Sequence, residues 1–474
     1  VQVPTHRPGP HGHTQQAMKA DRFLKRSVFP VPAERLFAWH MRPGALQRLA
    51  PPWEWVEVLE EAPPGEGSRA VFRIKAGPFR IKWTAVHSGI VPGREFIDTQ
   101  LRGPFSFWRH THRFITEDAS SCSLVDEILY RQRGGPAGRM LLGGFTRKKL
   151  ARMFEYRHRI IREDLASTVR KPSTIVVTGA SGLIGHSLVP YLTTRGHTVT
   201  RLVRGTPLRR DEARWDPDRG SLDFSLENND AVIHLAGEPI GTGRWSAGKK
   251  SGIISSRVRG TRLIAEQCAA CKNPPATLLC ASAVGFYGDR GDTLLTENDS
   301  RGHDFISGVC AAWEAAARPA IERGIRVVLM RIGVVLHPQG GALGHYLTPA
   351  RLGLGGIIGS GSQYISWISI DDMIGAIEHL LFNTTVSGPL NIAAPEPARN
   401  REFVATLAGA LGRPAVFSLP ACLVRRAFGQ MGREVLLSST RVSAQKLVDS
   451  GYTFRHGSLD GALCYLLGRE STSD

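Results

Sequence analysis

Residues 174–185 read Thr174-Ile175-Val176-Val177-Thr178-Gly179-Ala180-Ser181-Gly182-Leu183-Ile184-Gly185. A β-branched apolar run breaks into three glycines spaced three apart and then feeds a helical pattern. That order predicts a strand, a tight turn and a helix N-terminus, the backbone geometry that takes the pyrophosphate of a dinucleotide. Gly179 permits the turn, Gly182 allows the backbone to approach phosphate, and Gly185 allows close strand–helix packing. Ser181, Leu183 and Ile184 complete the candidate loop. The loop starts about a third of the way along 474 residues, so another domain precedes it.

Composition sets the outer bounds. A 42% hydrophobic and 22% charged chain fits a globular protein of two to three domains. No stretch reaches the ~18–20 uncharged apolar residues of a membrane helix, so no membrane partner is expected. Seven cysteines, an odd and sparse set, point to a reducing cytoplasm. Most of the net charge of +18 lies early: residues 1–172 hold 29 Lys and Arg against 16 Asp and Glu. These cations are scattered over strand patterns without a recognition motif. That argues for an anionic ligand or for solubility rather than for nucleic acid.

Residues 1–19 read as a disordered tail, and residues 20–168 as a sheet closed by one helix. Phe23 to Val28 fits a strand, and Pro32 opens a short helix. Ala70, Phe72 and Ile74 share a face, as do Ile81, Trp83 and Ala85, and also Leu124, Asp126, Ile128 and Tyr130. Phe145 to Leu165 is helical, with Leu150, Met153, Phe154 and Ile161 as its stripe. His110 and His112 lie two apart on one strand face, but the sequence offers no third ligand, so no metal is expected. Short helices, a meander and a closing helix, with Pro104-Phe105-Ser106-Phe107-Trp108-Arg109-His110-Thr111-His112-Arg113-Phe114 as the central strand pair, resemble the START-like, polyketide-cyclase or helix-grip (SRPBCC) family. The resemblance implies a cavity for an apolar ligand. Trp39, Trp53, Trp83 and Trp108 either line that cavity or fill a core.

Residues 174–400 continue the pattern of a doubly wound α/β sheet. A helix from about Leu183 ends at Gly196, and a strand follows at Thr198 to Val203. Arg204 then stands where an acid would meet the ribose hydroxyls of NAD(H). A basic residue there favours the 2′-phosphate of NADP(H). Asp230-Ala231-Val232-Ile233-His234-Leu235-Ala236-Gly237 is a further parallel strand, and Leu235, Ala236 and Gly237 join the cofactor set. Residues 401–470 alternate helix and turn signals.

Several segments carry a resemblance to extended short-chain dehydrogenase/reductases. They are the Asp230–Gly237 strand, Ser282-Ala283-Val284-Gly285-Phe286-Tyr287-Gly288, Gly359 to Asp372, and Gly388 to Ala393. Gly243-Arg244-Trp245, Ser256-Arg257-Val258, Trp313-Glu314 and Arg331 to Leu336 narrow it to atypical epimerase-like members with a C-terminal domain of unknown function. The resemblance implies a Rossmann α/β fold with a C-terminal substrate lobe, here preceded by an α+β helix-grip domain. In that family a Ser/Thr, a Tyr and the Lys of a YxxxK motif move the proton. Here Ile306 and Cys310 fall at the tyrosine and lysine positions. Ser282 and Tyr287 remain as catalytic candidates, and Trp245, Arg257, Arg331, Gln363 and Trp367 as substrate-lining ones. Two readings stay open. One is an NADP(H)-dependent oxidoreductase or nucleoside-diphosphate-sugar epimerase-like protein with a small-molecule partner. The other is a non-catalytic NADP(H)-binding regulator.

Overall fold

Alternating strands before residue 132 and repeated strand–helix units after residue 173 give two differently built units. The computed structural model describes residues 20–61, 64–166, 171–241 and 243–469. The tail expected over residues 1–19 lies outside these. One compact unit is built on residues through Lys171, the other on Pro172–Leu192 and Gly196 onward.

The first unit is a seven-stranded antiparallel sheet under one long helix. Its strands are β1 (Asp21–Phe29), β2 (Val56–Glu61), β3 (Arg69–Ala76), β4 (Phe79–Val91), β5 (Glu95–Arg102), β6 (Phe107–Thr116) and β7 (Cys122–Arg131), in the order β1-β7-β6-β5-β4-β3-β2. Gly77 and Gly93 close two hairpins with positive φ, where a side chain is disfavoured. Leu124, Ile128 and Tyr130 of β7 are buried as the alternation predicts, and Asp126 is buried in the same row. The closing helix spans Gly135–Ala166, ten residues longer at its start than the periodicity indicates. Gly138, Gly143 and Gly144, together with outward-facing Met140, Leu141 and Phe145, blur the apolar stripe there. Further along, Leu150, Phe154 and Ile161 are buried as expected. Trp39 and Trp108 fill apolar clusters of this unit rather than standing open.

The second unit holds an eight-stranded sheet. In spatial order its strands are Ser221–Leu222, Glu212–Asp216, Thr198–Val203, Thr174–Thr178, Ala231–His234, Thr277–Ala283, Arg326–Ile332 and Gly388–Ile392. All neighbours are parallel except the first pair. The chain therefore starts at an interior strand, winds outward one way, then crosses and winds the other way. The ends of Thr174–Thr178 and Ala231–His234 sit at that reversal, where open α/β sheets take ligands. These strands read as continuous apolar runs because both faces are covered. Beyond residue 400, Asn400–Leu411, Ala421–Phe428 and Leu459–Leu467 are helices. Within the Gly359 to Asp372 segment, a short strand over Trp367–Ser369 ends at Ser369. Ser369 caps a helix over Ile370–Phe382, and its hydroxyl accepts from the Asp372 amide. Asp372 in turn accepts from the amides of Arg455 (2.7 Å) and His456 (3.1 Å), tying the C-terminal lobe to this helix.

Candidate functional site

The glycine loop is built as a strand-to-helix turn. Gly179 has φ +70°, and a Cβ there would lie 2.8 Å from the Leu235 carbonyl carbon. Both conformation and close approach therefore require glycine. A Cβ on Gly185 would lie 2.3 Å from the Gly179 oxygen, so the helix start sits directly on the loop backbone. Gly182 donates its amide to the Gly179 carbonyl at 2.9 Å, and a Cβ there would be 3.2 Å from that same oxygen. Gly182 thus serves the turn itself, besides standing exposed with Ser181 at the helix mouth. Leu183 and Ile184 are half-buried as they open the helix Leu183–Thr194.

A second loop, Leu235-Ala236-Gly237, is held against the first by Thr178. Its hydroxyl accepts from the amides of Leu235 (3.2 Å) and Ala236 (3.3 Å) and lies 2.8 Å from His234 Nδ1. With two N–H groups already on Oγ, the Thr178 proton goes to Nδ1, which leaves the hydrogen of His234 on Nε2. The imidazole stands near perpendicular to the Trp215 ring, with centroids 5.9 Å apart. Burial pushes this imidazole down to about 4, so it is neutral at pH 7. Behind Gly237 lies Arg257. Its Nη1 donates to the carbonyls of Glu238 (3.0 Å) and Ile253 (3.2 Å), and its guanidinium covers the Trp313 ring at 4.8 Å. Arg257 supports the loop from behind.

Arg204 is exposed in the bend after Thr198–Val203 and makes no ion pair among the described residues. The hydrogen bond from Lys249 chiefly holds the Glu238 carboxyl below the usual range, and Arg204 adds to the effect.

Ser282 and Tyr287 are brought together, but inside a closed network. Ser282 Oγ donates to Glu314 Oε1 at 2.7 Å. Arg331 grips the same carboxylate twice, at 2.9 and 3.0 Å, and donates to the Tyr287 oxygen at 2.9 Å. Tyr287 donates onward to Asn391 Oδ1 at 2.8 Å. The guanidinium also lies 3.5 Å over the Phe286 ring. Tyr287 is 0% and Ser282 2% exposed, which leaves neither side chain a face for a solute. Burial pushes the Tyr287 phenol up to about 12, only partly opposed by the bond from Arg331. Glu314 and Asn391 complete this network, although the sequence offers Glu314 only as a register mark.

The other substrate candidates are committed to the interior. Trp367 is fully buried and donates to the Glu396 carbonyl. Gln363 donates to the carbonyls of Ile358 and Leu436. Trp245 donates to the Ile240 carbonyl and packs with Ile306 and Cys310. Arg331 belongs to the network above. Ile306 and Cys310, at the YxxxK positions, are themselves core, and burial pushes the Cys310 thiol up to about 12.

Residues 175–393 match the NAD dependent epimerase/dehydratase family, residues 419–466 a domain of unknown function (DUF1731), and residues 29–155 the polyketide cyclase / dehydrase and lipid transport family. The chain is similar to the epimerase family protein Mb2239 of Mycobacterium bovis, 40% identical over 298 residues, which are 63% of this chain and 98% of that one. It is similar to the human epimerase family protein SDR39U1, 39% identical over 61% of this chain and 98% of that one. Among solved structures, the nucleoside-diphosphate sugar epimerase from Corynebacterium glutamicum has a TM-score of 0.76 and 31% identity, covering 95% of this chain and 91% of that one. Human SDR39U1 (isoform 2) with NADPH has a TM-score of 0.58 and 35% identity, covering 62% of this chain and 99% of that one.

Proposed function

Because the chain belongs to the NAD dependent epimerase/dehydratase family, we propose that it binds NADP(H) at the Gly179–Gly185 turn. The observation that carries this is the pair of loops locked together by Thr178, with glycine required at Gly179 and Gly185. The helix start beyond Ser181 and Gly182 supplies unpaired amides and a positive dipole end for the pyrophosphate. Leu235, Ala236 and Gly237 form the opposite wall, and Arg204 would meet a 2′-phosphate. A relative of 35% identity solved with NADPH supports the same choice of dinucleotide.

Bound cofactor would supply a hydride at its nicotinamide. The closure of Ser282 and Tyr287 favours a cofactor-dependent binding or sensing role over proton transfer by that pair. A small molecule bound by the first unit, whose family match includes lipid transport, would be what the chain presents or senses, in the cytoplasm. The test is calorimetric titration of the full chain with NADPH and with NADH, followed by a panel of carbonyl substrates. Tighter binding of NADPH without loss of its absorbance supports the reading. Binding of neither dinucleotide overturns it, and turnover that survives Tyr287→Phe moves the chain to an oxidoreductase using other groups.

A further inference from the structure

The first unit buries a cluster of imidazoles and carboxylates that an apolar-ligand domain has no need to contain. It is built by strand register. Asp98 on β5 is paired across the sheet with His110 on β6, and His112 on β6 with Asp126 on β7. Because alternate residues share a face, all four side chains converge under the long helix. His112 Nε2 bonds Asp98 at 3.2 Å, and its Nδ1 lies 2.7 Å from Asp126 Oδ1. His110 Nε2 bonds Asp126 at 2.9 Å, and His158 of the helix bonds its other oxygen at 2.6 Å. His87 lies against Asp98.

We propose that Asp98, His110 and His112 form a binding site for one divalent first-row transition ion, of the zinc or iron(II) kind. Donor atoms of these three residues lie within 4.8 Å of one another. Ligand distances of about 2.0–2.2 Å place donors about 3–4 Å apart, so a closing movement of at most about 1–2 Å completes the set. Two imidazoles and one carboxylate select such an ion over magnesium or calcium, which prefer oxygen alone. The outer partners are those a metal site uses. Asp126 bonds His110 and His158, and His87 lies against the carboxylate of Asp98. Phe96 stacks on the His112 ring at 4.0 Å, and Phe154 meets His110 edge-on, which limits water.

Three protein ligands leave coordination positions open. The ion would thus hold an oxygen of whatever small molecule enters this unit.

The test uses the full chain with His6, His11 and His13 changed to Ala, because these N-terminal imidazoles could bind metal on their own. After chelator treatment the chain is titrated with CoCl2, and separately loaded with ZnCl2 for elemental analysis and X-ray absorption. The expected result is one ion per chain, visible d–d bands, and two imidazoles in the zinc shell. His110→Asn and Asp98→Asn should abolish the bands, and Asp126→Asn should weaken affinity by about 10–100-fold. Less than a tenth of an equivalent bound, a shell with fewer than two imidazoles, or bands that persist in folded His110→Asn would each overturn the site. The absorption spectrum of the unsubstituted site decides the matter even where a variant does not fold.

Discussion

Thr178 and His234 end neighbouring parallel strands, and the 2.8 Å bond between them ties the glycine turn to the loop facing it. The hydroxyl also holds two amides, so one side chain sets the spacing of both walls. Thr178→Val keeps the shape and removes all three bonds. Leaving buried groups unpaired costs about 1–3 kcal/mol. The substitution should lower the denaturant midpoint and weaken NADPH binding together. A loss of stability with unchanged NADPH affinity would show that the wall spacing does not matter for binding.

The same histidine sets an acid limit. In the unfolded chain an imidazole protonates near pH 6.5. Burial holds His234 near 4 in the fold. Between those values the unfolded state binds more protons, so this contribution is complete above about pH 6.5 and declines as pH falls to about 4. The gap corresponds to about 3 kcal/mol at most. His234→Gln, which does not titrate, should lose that part of the acid slope in urea melts recorded between pH 7 and pH 4.5. Parallel curves for the two proteins would refute the assignment.

Arg204 tests the choice of dinucleotide. A guanidinium on a 2′-phosphate forms charge-assisted bonds that NADH cannot offer. Arg204→Ala should weaken NADPH by about tenfold, about 1.4 kcal/mol, and NADH by much less. Equal losses would remove Arg204 from the phosphate site. Because the side chain is exposed and makes no ion pair among the described residues, thermal stability should not change.

Gly179 tests the loop more severely. With φ +70° and a Cβ position 2.8 Å from the Leu235 backbone, Gly179→Ala must displace one wall. Binding of both dinucleotides should be lost, while the first unit keeps its own unfolding transition. Retained binding would place the cofactor elsewhere.

What the sequence made legible was local. The Gly179 turn, the apolar strands and the row Leu124, Ile128 and Tyr130 follow from spacing within a few residues, and each stands where periodicity puts it. What it hid was produced by register and long-range pairing. Arg331 meets Glu314 from a strand and a helix 17 residues apart, so a substrate-lining arginine and a catalytic tyrosine candidate in sequence are consumed by partners in space. Asp98 reaches His110 only because β5 and β6 pair in one particular register. The early start of the long helix was masked because its first turns bury little, which removes the very pattern by which helices are read.

The buried network around Arg331 separates support from chemistry. Tyr287→Phe keeps the ring against Phe286 and removes only the hydroxyl between Arg331 and Asn391. Losing these two bonds, with Arg331 still holding Glu314 and Asn391 still bonded to Ser443, should cost about 1–3 kcal/mol of stability. Glu314→Gln is a different case. It leaves the Arg331 guanidinium buried without its anion, and breaking a buried pair from one side costs about 3–5 kcal/mol. If the network is scaffold, Tyr287→Phe should bind NADPH as the unsubstituted chain does, and Glu314→Gln should fail through folding. A Tyr287→Phe protein with full stability but lost turnover on a carbonyl substrate would instead place the phenol in the reaction.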